Sequence, residues 1–130
     1  MSLLVADAHT EKAGGWYSGL TATVIVSDLA NLEVSAVLSR HLRVGRLTHG
    51  GVEGALLDFD AMRADCERLS HGAADFLLAQ RVVRDFSTKL AAADALHLAS
   101  AKNAGAALAT LDARLAEAAR RQGVEVTELG

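Results

Sequence analysis

The chain has 130 residues, a hydrophobic fraction of 51% and a net charge of −3. This length fits one domain over residues 1–130, and the apolar composition excludes a disordered tail. The net charge gives no overall signal for nucleic-acid binding, and the single Cys66 has no partner for a disulfide. Because no apolar run reaches the length of a membrane span and no basic secretory signal is present, we expect a cytoplasmic protein.

The first half of the chain predicts one buried strand followed by three helices. The segment "TVIVS" at residues 23–27 is β-branched and bounded by polar residues, which favours a short buried strand. Apolar residues then recur at nearly helical spacing before a stop at Gly45, namely Leu32, Val34, Val37, Leu38 and Leu42. Two further helices are predicted over about Gly51 to Leu69 and about His71 to Leu90, with Ser70 as N-cap of the second.

Two surface patterns lie in the same region. The helix after Ser70 carries an apolar stripe that indicates core packing or a dimer surface, formed by Phe76, Ala79, Val83, Phe86 and Leu90. The run "SRHLRVGR", with Arg40, Arg43 and Arg46, is a candidate basic patch for nucleic acid. A solvent-exposed helix face is the simpler interpretation of these arginines, because charged residues are mostly exposed.

The last third of the chain alternates helices and strands. A helix over about Ala92 to Ala104 ends at Gly105 and precedes the strand "AALATL". The helix "ARLAEAARRQ", then Gly123 and a last strand "VEVTEL", complete the pattern. Because short apolar strands alternate with helices closed by glycine, the sequence predicts an α/β fold with a parallel sheet covered on both faces.

Three acidic residues, Glu33, Asp94 and Asp112, interrupt apolar segments near predicted helix starts. A helix of about eleven residues spans roughly 16 Å and a six-residue strand returns about 20 Å, so Asp94 and Asp112 should lie at nearly the same level. Glu33 follows the strand at residues 23–27 in the first turn of its helix. All three acids are therefore expected at the carboxyl ends of the strands, where open α/β sheets hold their ligands.

Each acid also has an ordinary explanation, because carboxylates near helix N-termini cap backbone N–H groups. Like charges at one edge, however, resist ionisation unless a cation neutralises them. Oxygen ligands without a Cys or His cluster suit Mg²⁺ or Mn²⁺, and such an ion could activate water against a phosphodiester. His97, three positions after Asp94, is more simply a hydrogen-bonded histidine than a metal ligand.

Three segments carry a family resemblance: "VIVSDLANLEVSAVLSR", "AADALHLASAKNAG" and "ALATLDARLAEAARRQGV". They resemble the signature segments of PIN-domain proteins, most closely the VapC-type toxins of bacterial toxin–antitoxin pairs, over about Val24 to Val126. The resemblance implies a three-layer α/β/α fold with a central parallel sheet and a Mg²⁺- or Mn²⁺-dependent ribonuclease that cuts RNA. It also implies a homodimer and a small cognate antitoxin whose tail blocks the active site.

The resemblance also implies roles for individual residues. Glu33, Asp94 and Asp112 match the family's second, third and fourth acidic positions, which would make them the catalytic and metal-ligating residues. Thr110 matches a hydroxyl often found in the family's T-x-D segment.

The N-terminus departs from the family pattern of a hydrophobic strand, a first metal-ligand Asp and a Ser or Thr two residues later. In "SLLVADAHT", Asp7 would be that acid, but His9 holds the hydroxyl position and only sixteen residues separate Asp7 from Val24. The spacing favours a second alignment, in which Thr10 caps a helix and the first strand and its Asp lie upstream of Met1. Against this, a missing central strand would expose sheet edges, which favours "SLLVA" as a substitute strand.

Two functions follow from these alternatives. With a complete acid set, the chain is expected to be a metal-dependent ribonuclease. With the first acid missing, it is expected to be a catalytically impaired PIN-like module that binds a partner or RNA without cleavage. A fourth carboxylate near Glu33, Asp94 and Asp112 discriminates between the two.

Overall fold

A computed structural model describes residues 2–6 and 23–128. The strands are β1 (Ser2–Val5), β2 (Thr23–Ser27), β3 (Glu67–Leu69), β4 (Ala107–Thr110) and β5 (Val126–Glu128). The helices are α1 (Asp28–Arg43), α2 (His49–Ala64), α3 (Ala73–Arg84), α4 (Ala92–Ala104) and α5 (Ala113–Arg121). All strand pairs are parallel, in the order β3-β2-β1-β4-β5, which confirms the predicted parallel sheet.

Strand β1 occupies the centre of the sheet. Its Leu3 is in register with Val24 of β2 on one side and with Ala107 of β4 on the other. Leu3 and Leu4 are buried, as a central parallel strand requires. The alternative in which the first strand is missing from the chain is therefore wrong, because "SLLV" supplies it. Asp7, His9 and the helix predicted after Thr10 lie outside the described residues.

Helices cover both faces of the sheet, which confirms the three-layer α/β/α fold. Alternate residues of the strands point to opposite faces. One core cluster joins Leu4 and Ile25 to α4 and α5 through residues such as Leu98 and Leu115. The second cluster lies on the other face, against α1 and α2, and includes Val5, Val24, Val26, Val34 and Phe59.

Several predicted boundaries are confirmed. Residues 23–27 form β2, and Ser27 caps α1 by accepting a hydrogen bond from the Ala30 N–H at 3.1 Å. The predicted stop of α4 is Gly105, whose φ of +66° lies in the left-handed region that glycine adopts without strain. No helix within the described ranges is long and apolar enough to cross a membrane.

Two predicted helices are shorter than expected. The helix predicted to reach Leu69 ends at Ala64, and residues 67–69 instead form β3, where Arg68 is in register with Val26. The helix predicted over His71 to Leu90 spans only Ala73–Arg84 and has Gly72 as its N-cap. Both differences arise from tertiary contacts, because β3 exists only through its pairing with β2 and Ser70 bonds to Asp28 rather than capping α3.

The apolar stripe predicted on the third helix is divided between core and surface. Ala79 and Leu90 are buried, whereas the Phe76, Val83 and Phe86 side chains are exposed. Part of the stripe therefore belongs to the core and part remains available on the outside of the described chain.

Candidate functional site

The three predicted acids lie on helices that start at the carboxyl edge of the sheet. Glu33 is in the second turn of α1 and not in the first as predicted, because the helix begins at Asp28, directly after β2. Asp112 is the N-cap of α5, which follows β4. Asp94 is in the first turn of α4 and is partly buried. Since the far end of α4 leads into the start of β4, its first turn faces the same edge. We call Glu33, Asp94 and Asp112 the acid edge.

A short hydrogen bond joins Glu33 to the helix that carries Asp94. Glu33 Oε1 lies 2.5 Å from His97 Nε2, although the two residues are 64 positions apart in the chain. His97 is buried, with 1% of its side chain exposed, whereas the Glu33 side chain is 31% exposed. Carboxylate oxygens accept hydrogen bonds, so we describe His97 Nε2 as the donor of this bond. The prediction that His97 is a hydrogen-bonded histidine is confirmed.

The other ring nitrogen of His97 has a different environment. Nδ1 is buried and has no hydrogen-bond partner within the described ranges. A buried polar atom without a partner is rare because it loses water and gains nothing in return. The His97 ring is therefore buried at a cost in free energy, and among the described residues its hydrogen-bond partner is Glu33.

Asp112 serves as a helix cap, as its ordinary explanation predicted. Its Oδ1 accepts hydrogen bonds from the N–H groups of Arg114 at 2.8 Å and Leu115 at 3.3 Å. The buried Thr110 hydroxyl accepts a hydrogen bond from the Asp112 N–H at 3.0 Å. Thr110 therefore fixes the turn between β4 and α5, and this turn presents the exposed Asp112 side chain at the sheet edge.

The described residues do not by themselves form a metal site. No group of three or more His, Cys, Asp or Glu side chains within residues 2–6 and 23–128 lies close enough to hold a metal ion. Carboxylate oxygens such as those of the acid edge are the ligands that Mg²⁺ or Mn²⁺ prefers. Among the described residues, however, too few of them lie close together to hold an ion. Asp7, the predicted first ligand, lies outside the described residues, and the catalytic and metal-binding assignments stay predictions.

A second polar bridge, which the sequence did not reveal, ties α1 to α4. His71 Nε2 accepts a hydrogen bond from the Leu29 N–H at 3.2 Å, and Nδ1 lies 2.8 Å from the Ser100 hydroxyl. Burial lowers the pKa of His71 below its usual value, which favours the neutral ring that this acceptor role requires. Leu29 and Ser100 lie one turn from Glu33 and His97 respectively, so two bridges hold the same helix pair.

The start of α1 is also tied to β3. The Arg68 guanidinium and the Ser70 hydroxyl each donate to the Asp28 carboxylate at 2.8 Å. The hydrogen bond from Arg68 and the bond from Ser70 lower the pKa of Asp28. These partners are 40 and 42 positions from Asp28, so no local sequence pattern could have identified them.

The fold of this chain is similar to that of several solved structures. FitAcB from Neisseria gonorrhoeae is similar with a TM-score of 0.72 and 19% identity, covering 99% of this chain and 98% of that chain. DNA-bound VapBC from Salmonella typhimurium is similar with a TM-score of 0.72 and 13% identity, covering 100% and 99%. VapBC2 from Rickettsia felis, bound to a DNA fragment from their promoter, has a TM-score of 0.70 and 13% identity, covering 98% of each chain. At these identities the similarity shows a shared fold.

Sequence comparison identifies the family. No curated protein sequence matches the chain. The family model of the PIN domain matches residues 1–121, which include β1, the acid edge and the five helices of the described residues. The chain therefore belongs to the PIN domain family.

Proposed function

We propose that the chain is a metal-dependent endoribonuclease and the toxin of a toxin–antitoxin pair. PIN domains are generally nucleases, and the resemblance of its segments to VapC-type toxins supports the narrower assignment. The observation that carries the proposal is the hydrogen bond between Glu33 and His97, because it fixes one predicted acid beside the helix of another. Since such a toxin acts on cellular RNA, the cytoplasm is its proposed location.

In this proposal Glu33, Asp94 and Asp112 are the catalytic and metal-binding residues. A bound Mg²⁺ or Mn²⁺ would polarise the phosphodiester and supply an activated water. The hydrogen bond from His97 holds one oxygen of Glu33 and leaves the other for a ligand. Thr110 has an indirect role, because its hydroxyl orders the backbone that positions Asp112.

We further propose a homodimer and a cognate antitoxin as partners. An apolar groove of about 520 Å³ lies between α3 and α4, and its lining includes Leu29, Phe76, Val83 and Leu96. Phe76 is 57% exposed, and burying such a ring against a second copy would remove apolar area from water. The solved VapBC and FitAcB structures, similar in fold, support an antitoxin partner for this chain as well.

The second candidate function is a catalytically impaired PIN-like module that binds RNA or a partner without cleavage. The absence of a three-residue metal group within the described ranges favours it. The two candidates differ in one respect, which is whether a further carboxylate such as Asp7 completes the acid edge.

Cleavage of a mixed RNA pool by the full chain tests the proposal. We expect cleavage with Mg²⁺ or Mn²⁺, no cleavage with a chelator, and none by Asp94→Asn. Asp58→Asn makes the same chemical change at an exposed position of α2 and should cleave like the unaltered chain. Retained cleavage by Asp94→Asn would remove Asp94 from the site, and a folded chain that never cleaves would favour the impaired module.

A further inference from the structure

A second cavity, of about 220 Å³, lies between α5 and the segment that leads into α4. Arg114 lines this cavity, and its N–H donates to Asp112 Oδ1 at 2.8 Å. The Arg114 guanidinium reaches the Lys89 carbonyl at 3.5 Å, and Lys89 lies five residues before Asp94. The cavity therefore lies between the segments that carry two of the three acids.

The polar groups of the cavity are not equally available. Arg121 is paired with Glu117 at 3.0 Å, so their charges offset each other. The hydroxyl of Ser87 donates to Asp85 and the hydroxyl of Thr88 donates to backbone carbonyls. Within the part of the chain that the structure describes, no carboxylate pairs with Lys89 or Arg114. The cavity thus presents two uncompensated cations to solvent.

The backbone at Lys89 adds an independent observation. Its φ is +52°, and among the described residues it is the one residue other than glycine with positive φ. A lysine gains nothing from this conformation, which glycine or asparagine adopts more readily. Residues other than glycine that are held at positive φ cluster at active sites and ligand-binding sites. In this conformation the Lys89 carbonyl accepts a hydrogen bond from the Arg114 guanidinium. Both residues line the same cavity.

We propose that Lys89 and Arg114 form a binding site for a phosphodiester group of the RNA strand, next to the bond that is cut. The inference rests on the proposed function and names how its substrate is held. A strand cut at the acid edge must continue past that edge, and its neighbouring phosphate meets these two cations. Arg and Lys are the usual phosphate ligands of proteins.

Salt-dependent RNA binding tests this site. A fluorescent single-stranded RNA is titrated with the full chain carrying Asp94→Asn, so that no cleavage interferes. Each lost phosphate contact lowers the slope of log affinity against log salt by about 0.7 for a single strand. We expect this reduction in Arg114→Gln and in Lys89→Gly, with weaker binding throughout. Lys102→Gln removes one exposed positive charge in the last turn of α4, at the opposite end of that helix from Asp94, and should leave the slope unchanged.

Lys89→Gly separates binding from folding. Glycine accepts the φ of +52°, so the variant should unfold at the same temperature as the parent or higher while binding RNA more weakly. Equal slopes and affinities in Arg114→Gln, Lys89→Gly and Lys102→Gln would overturn the proposal. Competition by a poly-glutamate peptide at lower concentration than RNA would also overturn it and assign the cavity to an acidic protein segment. Inorganic phosphate should compete only weakly, and competition as strong as that of RNA would reassign the cavity to free anions.

The outcomes also separate this inference from the proposed function. RNA binding that depends on Arg114, in a chain that never cleaves, would contradict the nuclease and leave the phosphodiester site standing. Cleavage with an unchanged KM in Arg114→Gln and Lys89→Gly would retain the nuclease and contradict the site.

Discussion

Loss of the hydrogen bond between Glu33 and His97 should lower activity strongly and change stability little. His97→Leu removes the donor to Glu33 Oε1 and fills the buried site with a side chain of similar reach. His97→Gln is the matched variant, because its amide nitrogen keeps a donor near the position of Nε2.

The two stability effects of His97→Leu nearly cancel. A hydrogen bond to a charged group stabilises by about 1.5–3 kcal/mol, and this falls to about 1–2 kcal/mol here because water can replace the donor at the 31% exposed Glu33 side chain. Leucine also removes Nδ1, a buried atom without a partner in the described part of the chain, which returns about 1–3 kcal/mol. The free energy of unfolding should therefore change by less than about 1 kcal/mol, or roughly 4 °C in Tm.

Activity should respond differently, because Glu33 loses the contact that orients it. A lost hydrogen bond behind a metal ligand typically costs about 10- to 100-fold in metal affinity or rate. Urea unfolding and RNA cleavage are measured for His97→Leu, His97→Gln and the exposed control His49→Leu. A double-mutant cycle with Glu33→Gln should give a coupling of about 1 kcal/mol. Full activity in His97→Leu, or a loss of stability above about 3 kcal/mol, would refute the reasoning.

Three further perturbations test single features. Burial lowers the pKa of His71 in the folded chain below its usual value of about 6.5. The neutral ring therefore contributes its full stabilisation above about pH 6.5. This contribution is lost as the pH falls from about 6.5 to the lower pKa of the folded state. The difference between urea midpoints at about pH 7.5 and about pH 5.5 should shrink in His71→Gln, and an unchanged difference would exclude His71 as its source. Gly105→Ala, at φ +66°, should lower the unfolding free energy by about 1 kcal/mol, whereas equal stability would argue against the left-handed cap. Phe76→Glu should yield monomers in sedimentation that keep the circular dichroism spectrum of the unaltered chain, and a persistent dimer would contradict the proposed use of the apolar groove.

The fold could be predicted wherever local signals agreed with tertiary packing. Strand β2 and helix α4 were found because their apolar residues and the terminal Gly105 carry the information locally. Strand β3 was missed, since "ERL" is polar and becomes a strand only through backbone bonds to β2. For β1 the spacing argument favoured a missing strand, but burial on both faces made "SLLV" the central one.

In the candidate site, too, contacts between residues close in sequence could be predicted and contacts between distant residues could not. The capping role of Asp112 was predicted from its position before a helix, and its contacts are two and three residues away. The partner of Glu33 could not be predicted, because His97 is 64 positions distant and meets it only when α1 and α4 lie side by side. The Lys89 conformation was also missed, since its "STKLA" context contains no glycine or asparagine to indicate positive φ.

Calorimetric titration of the full chain with Mg²⁺ and with Mn²⁺ bears most closely on the acid edge. Asp94→Asn serves as the test variant and Asp58→Asn as the matched control. We expect one saturable binding event in the unaltered chain and in Asp58→Asn, weakened by at least about tenfold in Asp94→Asn. A folded chain that binds neither ion, or equal binding by Asp94→Asn, would contradict a metal-dependent nuclease site built on Glu33, Asp94 and Asp112.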